Sequence, residues 1–156
     1  MKWLCAGPLW RGSDAGGLFK ALTRLDERIQ VIDEFYYLSL QHISVGGKVL
    51  GKLLRPFETK EFNRVLQQQI VKYKPDVLLV YKGTFVQPQT LMMAKKAGIR
   101  LVNFYPDVSM FSHGKLIPQC IPLYDEIFTT KTYGIADLNG LFGITDAYFV
   151  PHGFDP

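Results

Sequence analysis

Three side chains that could carry out acid–base or electrostatic chemistry follow strand-like segments of the sequence. Lys82 comes directly after the apolar run Asp76–Tyr81. Asp107 and His113 lie in the segment that follows the run Arg100–Phe104. A carboxylate or an imidazole in such a place can act as a general base, and an ammonium group can contact a phosphate or a substrate hydroxyl. Asp107 and His113 are therefore the candidate catalytic residues, and Lys82 is a candidate substrate-binding residue.

Each of these residues also has a purely structural interpretation. Asp107 precedes a segment that could form a short helix, and an aspartate there is equally suited to capping the helix N-terminus. His113 could be a solvated loop histidine, and Lys82 a solvent-exposed loop charge. The sequence alone leaves both interpretations open for all three residues.

A glycine-rich segment near the start of the chain provides a second group of candidates. Residues 7–17 have the sequence GPLWRGSDAGG, which fits neither a Walker A loop nor a dinucleotide-binding fingerprint. A glycine-rich turn that leads into a helix presents unpaired N–H groups to an anion. The alternative is that the glycines serve only a tight turn and close helix packing. The candidate substrate-binding residues in this segment are Gly12, Asp14, Gly16 and Gly17.

The elements that must position these residues alternate between strand-like and helix-like patterns. The predicted strands are Lys2–Ala6, Ile29–Ile32, Asp76–Tyr81, Arg100–Phe104, Glu126–Thr129 and Ala147–Val150. The predicted helices are Ala15–Leu25, Phe57–Lys74, Pro88–Ala97 and Tyr133–Phe142. Glycines at three positions predict a loop and a broken helix over residues 35–55. The alternation predicts an α/β fold, a Rossmann-like doubly wound parallel sheet of about six strands in a single domain.

Ligands of such sheets bind outside the carboxyl ends of the strands. The sequence therefore predicts that the candidate residues meet at one edge of the sheet. The loops expected there are Gly7–Gly17, Lys82–Phe85, Tyr105–His113, Thr130–Thr132 and Pro151–Gly153.

Composition narrows the functional classes. The 156 residues are 47% hydrophobic and 21% charged, which is typical of a globular domain. No apolar run approaches the roughly 20 residues of a membrane helix, and the short apolar start is interrupted by Pro8, so a cytoplasmic protein is expected. Cys5 and Cys120 are too few for a disulfide framework or a zinc site, and no metal is expected. The apolar neighbours of Cys5 predict a buried thiol.

Basic residues are concentrated in the first half of the chain. Residues 1–75 contain 12 Lys or Arg against 7 Asp or Glu, whereas residues 76–156 contain 6 against 7. Lys48, Lys52 and Arg55 lie in the densest part of this patch. They are candidates for contact with a peripheral membrane or another anionic surface, with a solvated helix face as the alternative. No nucleic-acid-binding motif accompanies the charge, so nucleic acid is not expected as a partner.

The end of the chain carries a resemblance to a known family. The segments DEIFTTK (125–131) and YFVPHGFDP (148–156), with a predicted helix between them, resemble the end of the N-terminal domain of GT-B glycosyltransferases. In those enzymes a strand leads into a Pro-x-Gly-x-Asp segment that opens the linker to the donor domain. Together with the glycine-rich start, nearly the whole chain resembles the spore-maturation (CgeB-like) branch of these enzymes.

This resemblance implies a two-domain, metal-independent enzyme that uses a nucleotide-sugar donor as co-substrate and no other cofactor. Residues 1–150 would form the Rossmann-like acceptor-side domain, and residues 151–156 would begin the interdomain linker. The chain stops at Pro156, where the C-terminal donor domain is expected to begin. The glycine-rich loop would face the donor diphosphate, and the other strand-end loops would receive the sugar acceptor.

Two functional predictions follow. The first is the acceptor-binding half of a nucleotide-sugar-dependent glycosyltransferase, inactive on its own. The alternative is a standalone Rossmann-like binding or regulatory module without catalytic activity.

Overall fold

An all-parallel sheet organises the chain. The computed structural model describes residues 1–25, 28–37, 45–151 and 153, and of residues 45–52 it describes the backbone alone. The strands are β1 (Lys2–Gly7), β2 (Arg28–Asp33), β3 (Val77–Tyr81), β4 (Arg100–Tyr105), β5 (Glu126–Thr129) and β6 (Ala147–Phe149). The helices are α1 (Asp14–Arg24), α2 (Glu34–Tyr37), α3 (Val45–Tyr73), α4 (Pro88–Lys96), α5 (Leu116–Cys120), a 3-10 turn (Ile121–Leu123) and α6 (Thr132–Phe142).

The strand order places a change of direction beside β1. The order across the sheet is β2-β1-β3-β4-β5-β6, and every neighbouring pair is parallel. The chain runs outward from β1 to β2 and then returns to the other side of β1 to continue through β3. Loops at such a switch point diverge and leave a crevice at the carboxyl ends of the strands. The predicted six-stranded, doubly wound α/β fold in a single domain is confirmed.

Alternating residues of β3 face two different cores. Leu78 and Val80 belong to the larger hydrophobic cluster, which includes buried residues of α3 and α4, whereas Leu79 and Tyr81 pack with Phe19 of α1 in the smaller one. Every residue of β3 is buried. Full burial of one large apolar side chain contributes about 1.5–3 kcal/mol. A strand covered on both faces therefore has the continuous apolar sequence from which it was predicted.

Gly7 allows β1 to end against the sheet core. A Cβ atom at this position would lie 2.8 Å from the Cβ of Tyr81 and 3.3 Å from the ring of Phe19. Atoms this close to a neighbouring strand leave no room for a side chain, so the chain turns toward α1 at a glycine.

Of the loop and broken helix predicted over residues 35–55, the broken helix is wrong where the structure describes the chain, and residues 38–44 lie outside the described residues. Helix α2 occupies Glu34–Tyr37, and α3 runs without interruption from Val45 to Tyr73. Its first turns include three glycines, and Pro56 lies inside it. Proline removes one backbone hydrogen bond and each glycine weakens a helix by about 1 kcal/mol, but the tertiary context can outweigh both.

Two short helical elements, α5 and the 3-10 turn, have no counterpart among the predictions. Prolines at positions 118 and 122 interrupt the apolar periodicity of this segment. Proline is tolerated in a first helical turn, where its missing N–H group would have no intrahelical partner. The helix predicted over Phe57–Lys74 ends close to the end of α3 but begins well after Val45. The remaining predicted elements agree with the structure to within a few residues, and Glu126–Thr129 agrees at both ends.

Both cysteines are buried and unpaired, as predicted for Cys5. Burial raises the pKa of the Cys5 thiol and of the Cys120 thiol to about 12. Among the helices in the described ranges, none has both the length and the apolar character needed to cross a membrane.

Candidate functional site

An open cleft of about 800 Å³ lies over the carboxyl ends of the strands. Its walls come from the segments that follow five neighbouring strands, β2, β1, β3, β4 and β5. A volume of this size is typical of sites for small molecules and cofactors. The topology thus places the cleft where a ligand of a doubly wound sheet is expected.

Five of the seven candidate residues line this cleft. Gly12 lies in the loop after β1 and Asp14 is the first residue of α1. Lys82 follows β3, and Asp107 and His113 follow β4. The structure therefore places the catalytic candidates and three of the substrate-binding candidates together.

The remaining two candidates, Gly16 and Gly17, lie in the first turn of α1 and do not line the cleft. Their N–H groups donate to the carbonyl of Ser13, at 3.0 and 3.4 Å. Both groups already have an acceptor, so Gly16 and Gly17 do not offer free donors to an anion.

Asp107 is the centre of the polar cluster. Its Oδ2 lies 2.6 Å from Lys82 Nζ and 2.9 Å from His113 Nε2. These are ion-pair distances, although the angles of both contacts depart from hydrogen-bond geometry. Lys82 and Asp107 are partly buried, with 24 and 33% of their side chains exposed, whereas His113, at 36%, is exposed. Lys82 is therefore not a fully solvent-exposed loop charge, and the structural alternative for His113 stays open.

Asp107 does not cap a helix. The backbone over residues 106–115 forms bends and turns, and the next helix, α5, begins at Leu116 with Lys115 as its N-cap residue. The structure thus removes the alternative explanation for an aspartate at this position.

Two buried side chains hold the loop that carries Asp107. The Tyr105 hydroxyl donates to the carbonyl of Ser109 at 2.6 Å, and the Thr130 hydroxyl donates to the carbonyl of Pro106 at 2.8 Å. One anchor comes from the end of β4 and the other follows β5. The loop is therefore fixed on both sides of Asp107.

The loop after β1 is tied to β2 and closed on itself. Asp33 Oδ1 accepts hydrogen bonds from the N–H groups of Leu9 and Phe35, each at 2.9 Å. The Ser13 hydroxyl donates to the carbonyl of Pro8 and so makes no side-chain cap for α1. The first turn of α1 therefore begins beside the cleft without a serine cap.

The sequence interpretation missed Glu34, which lines the same cleft at the end of β2. Only 7% of Glu34 is exposed. Burial raises the pKa of its carboxyl group to about 7; Lys82 acts in the opposite direction, and Asp33 raises the pKa further. A carboxylic acid with this pKa can hold or release a proton near neutral pH. Its place directly after a predicted strand, the reason Asp107 was singled out, was a signal that could have identified it.

Aromatic side chains surround the polar cluster. Trp10, Phe35, Tyr81 and Phe85 line the cleft, and Trp10 is 52% exposed. Burial raises the pKa of the Tyr81 hydroxyl, and the nearby carboxylates of Asp14 and Asp107 raise it further. Tyr81 therefore stays protonated at neutral pH and keeps its hydroxyl hydrogen.

Part of the predicted basic patch reaches the cleft wall. The guanidinium of Arg55 lies over the ring of Phe85, 5.4 Å from its centroid. The side chains of Lys48 and Lys52 lie outside the described residues, as do His152 and residues 154–156. In the predicted fifth loop, Pro151 and Gly153 are described and do not line the cleft.

No protein-family model and no curated protein matches the chain. Solved structures do match. The chain is similar to the UDP-GlcNAc 2-epimerase from Methanocaldococcus jannaschii, with a TM-score of 0.67 and 15% identity over 96% of this chain and 45% of that one. It is also similar to S. aureus MnaA in a structure with UDP, with a TM-score of 0.63 and 15% identity over 95% of this chain and 43% of that one.

These likenesses concern the fold. The chain spans less than half the length of either protein. The comparisons do not support the narrower resemblance to the spore-maturation (CgeB-like) branch. They show the fold alone: the chain has the Rossmann-like fold of the parts of these two proteins that it covers.

Proposed function

We propose that this chain supplies the acceptor-side wall of the active site of a nucleotide-sugar-dependent glycosyltransferase. The observation that carries the proposal is the contact between Asp107 and His113 in a cleft at the carboxyl ends of the strands. A carboxylate beside an imidazole can set which ring nitrogen carries the proton, and it leaves the other nitrogen to act as a general base.

His113 is the base in this proposal, and Asp107 is the group that orients it. In this proposal Nε2, which lies 2.9 Å from the Asp107 carboxylate, carries the proton of the neutral ring, so Nδ1 is unprotonated and able to accept a proton. The acceptor hydroxyl passes its proton to Nδ1 as its oxygen attacks the anomeric carbon. The bond from that carbon to the diphosphate oxygen breaks, and the nucleoside diphosphate leaves. This single displacement inverts the anomeric configuration.

Cationic groups near the strand ends suit the departing diphosphate. Lys82 and Lys131 both line the cleft, and α1 begins beside it at Asp14. Ammonium groups and helix N-termini stabilise phosphate charge. In this proposal Lys131 and the N-terminus of α1 face the leaving group, whereas Lys82 is held on Asp107.

The rim of the cleft is apolar enough to need a cover. The exposed fractions are 52% for Trp10, 65% for Val108 and 57% for Phe111, all on the loops after β1 and β4. Exposed apolar groups around a concave site mark an interaction surface. We assign this rim to a donor domain that binds the nucleotide, in line with the 45% and 43% of the neighbouring proteins that the chain covers.

The test is a transfer assay on the protein that contains this chain together with its donor domain. Release of nucleoside diphosphate from a panel of nucleotide sugars is measured with saccharide acceptors for the wild type and for Asp107→Asn. Loss of the orienting carboxylate should lower turnover by about 10²–10⁴-fold, the usual contribution of acid–base catalysis, with donor affinity nearly unchanged. Asp137→Asn, at an exposed position of α6, is the matched control and should retain full turnover.

Three outcomes would refute the proposal. Full turnover of Asp107→Asn with lowered thermal stability would show a structural role for this carboxylate. Interconversion of nucleotide sugars without transfer to any acceptor would indicate an isomerising enzyme. Absence of both reactions in the wild type would favour a binding or regulatory module.

A further inference from the structure

Lys82 has an unusual backbone conformation. Among the non-glycine residues that the structure describes, only Lys74 and Lys82 have positive φ, and the φ of Lys82 is 64°. The next residue, Gly83, has a φ of 90°. A residue with a side chain occupies the left-handed region only where the surrounding structure holds it there. Something must therefore fix the turn after β3.

Asn103, on the neighbouring strand β4, supplies that restraint. It is fully buried, and its Nδ2 donates to the carbonyls of Val80 at 3.0 Å and Lys82 at 3.4 Å. The N–H of Lys82 in turn donates to the carbonyl of Phe104 at 2.7 Å. The turn is thus bound to β4 by both its N–H and its carbonyl group.

The space beneath the turn is filled. A Cβ atom at Gly83 would lie 3.1 Å from Val80 Cγ1 and 3.3 Å from the hydroxyl oxygen of Tyr124. The same position is 3.7 Å from Nδ2 of Asn103. With a buried amide and a phenol below it, the turn has little room to adopt another conformation.

The turn determines where the Lys82 ammonium lies. Nζ is 2.6 Å from Asp107 Oδ2, and the same charge lowers the pKa of Glu34, which lines the same cleft. Lys82 therefore serves two carboxyl groups that come from β4 and β2. A change in the backbone at Lys82 would displace the ammonium from both.

We propose that Asn103 is a positioning residue, which holds the Lys82 turn so that the ammonium lies on Asp107 in the cleft that Glu34 also lines. This assignment rests on the proposed function only because that function makes the cleft an active site. It adds a buried residue that touches no substrate and acts through Lys82.

The test is a ¹³C NMR titration of the Glu34 carboxyl group in the isolated chain. Lys82→Met removes the charge that lowers this pKa, so the pKa of Glu34 should rise above its wild-type value of about 7. Asn103→Leu keeps the volume and removes both hydrogen bonds. It should raise the pKa of Glu34 by at least half as much, and the double variant should titrate like Lys82→Met.

Asn63→Leu is the matched control. Asn63 is also buried, and it donates to the carbonyls of Thr59 and Phe85 while its Oδ1 accepts from Gln87 and Thr90. None of these contacts involves Lys82. The variant should lower the free energy of unfolding but leave the Glu34 titration at its wild-type position.

If the pKa of Glu34 is unchanged in folded Asn103→Leu but raised in Lys82→Met, Asn103 has only a structural role and the proposal is wrong. An unchanged titration in Lys82→Met would overturn the placement of the ammonium itself. If Asn103→Leu does not fold, Asn103→Ser, whose short hydroxyl cannot reach both carbonyls, provides the same comparison. The titration needs no substrate, so failure of the transfer assay would leave this result standing.

Discussion

Replacing Glu34 by glutamine should stabilise the protein at alkaline pH and leave its stability unchanged in acid. The pKa of the Glu34 carboxyl group rises from 4.5 to about 7 on folding because the group is buried. A folded-state pKa above the unfolded value means that the protonated carboxyl contributes stability below pH 4.5. That contribution is lost as the pH rises through about 7. Glutamine has a similar shape and stays neutral, so it avoids the cost of ionisation.

The size of the effect follows from the two pKa values. A tenfold change in an acid dissociation constant corresponds to about 1.4 kcal/mol, so ionising Glu34 costs the folded state about 3 kcal/mol. With a urea m-value of about 1–3 kcal/mol per molar, the midpoint of Glu34→Gln should exceed that of the wild type by about 1–3 M once the carboxyl is ionised. Below pH 4.5 the two midpoints should agree.

The assay is urea unfolding, followed by circular dichroism across this pH range. Glu61→Gln is the control with the opposite sign, because a hydrogen bond from Arg64 lowers the pKa of Glu61. Its loss should therefore reduce stability at neutral pH rather than increase it. A difference between Glu34→Gln and the wild type that does not vary with pH would show that Glu34 is not an ionising buried acid.

Two further predictions concern the core. Gly7→Ala should lower the free energy of unfolding by about 1–3 kcal/mol, because its Cβ would lie 2.8 Å from the Cβ of Tyr81. Gly17→Ala should instead stabilise α1 by about 0.5–1 kcal/mol, because no atom lies within 4 Å of the added carbon. Equal changes in the urea midpoints of the two variants would show that Gly7 is not packed closely against Tyr81. The buried Cys5 and Cys120, with pKa values of about 12, should react with a thiol reagent only as the protein unfolds. Rapid labelling of native protein at neutral pH would show that at least one thiol is accessible.

The sheet could be predicted because strands that are buried on both faces are apolar at successive positions. Val77–Tyr81 is apolar at every position, and all five residues are buried in the structure. The start of α3 could not be predicted, because glycines and Pro56 weigh against a helix locally and only the tertiary structure outweighs them.

The candidate site was predicted in its position but not in its charge arrangement. Ligands of a doubly wound sheet bind at the carboxyl ends of its strands. This rule predicted that Lys82, Asp107 and His113 lie at one edge of the sheet, where the structure also places them. The rule does not say where a side chain points. The sequence therefore did not predict that the Lys82 ammonium and the His113 imidazole both contact one carboxylate oxygen of Asp107. The pKa of Glu34 depends on how deeply it is buried, which no local pattern in the sequence reports.

The most direct test of the central claim is a titration of the ¹⁵N-labelled 156-residue chain with a panel of nucleotide sugars, followed by NMR and calorimetry. As one wall of a two-walled cleft, the chain should bind them no tighter than the millimolar range, worth about −4 kcal/mol. The shifted amides should be those that border the cleft, including Gly12, Asp14 and Lys131. Micromolar affinity would contradict the account because the donor site would then lie within this chain, and an absence of shifts at about 10 mM, where a millimolar site is mostly occupied, would contradict it equally.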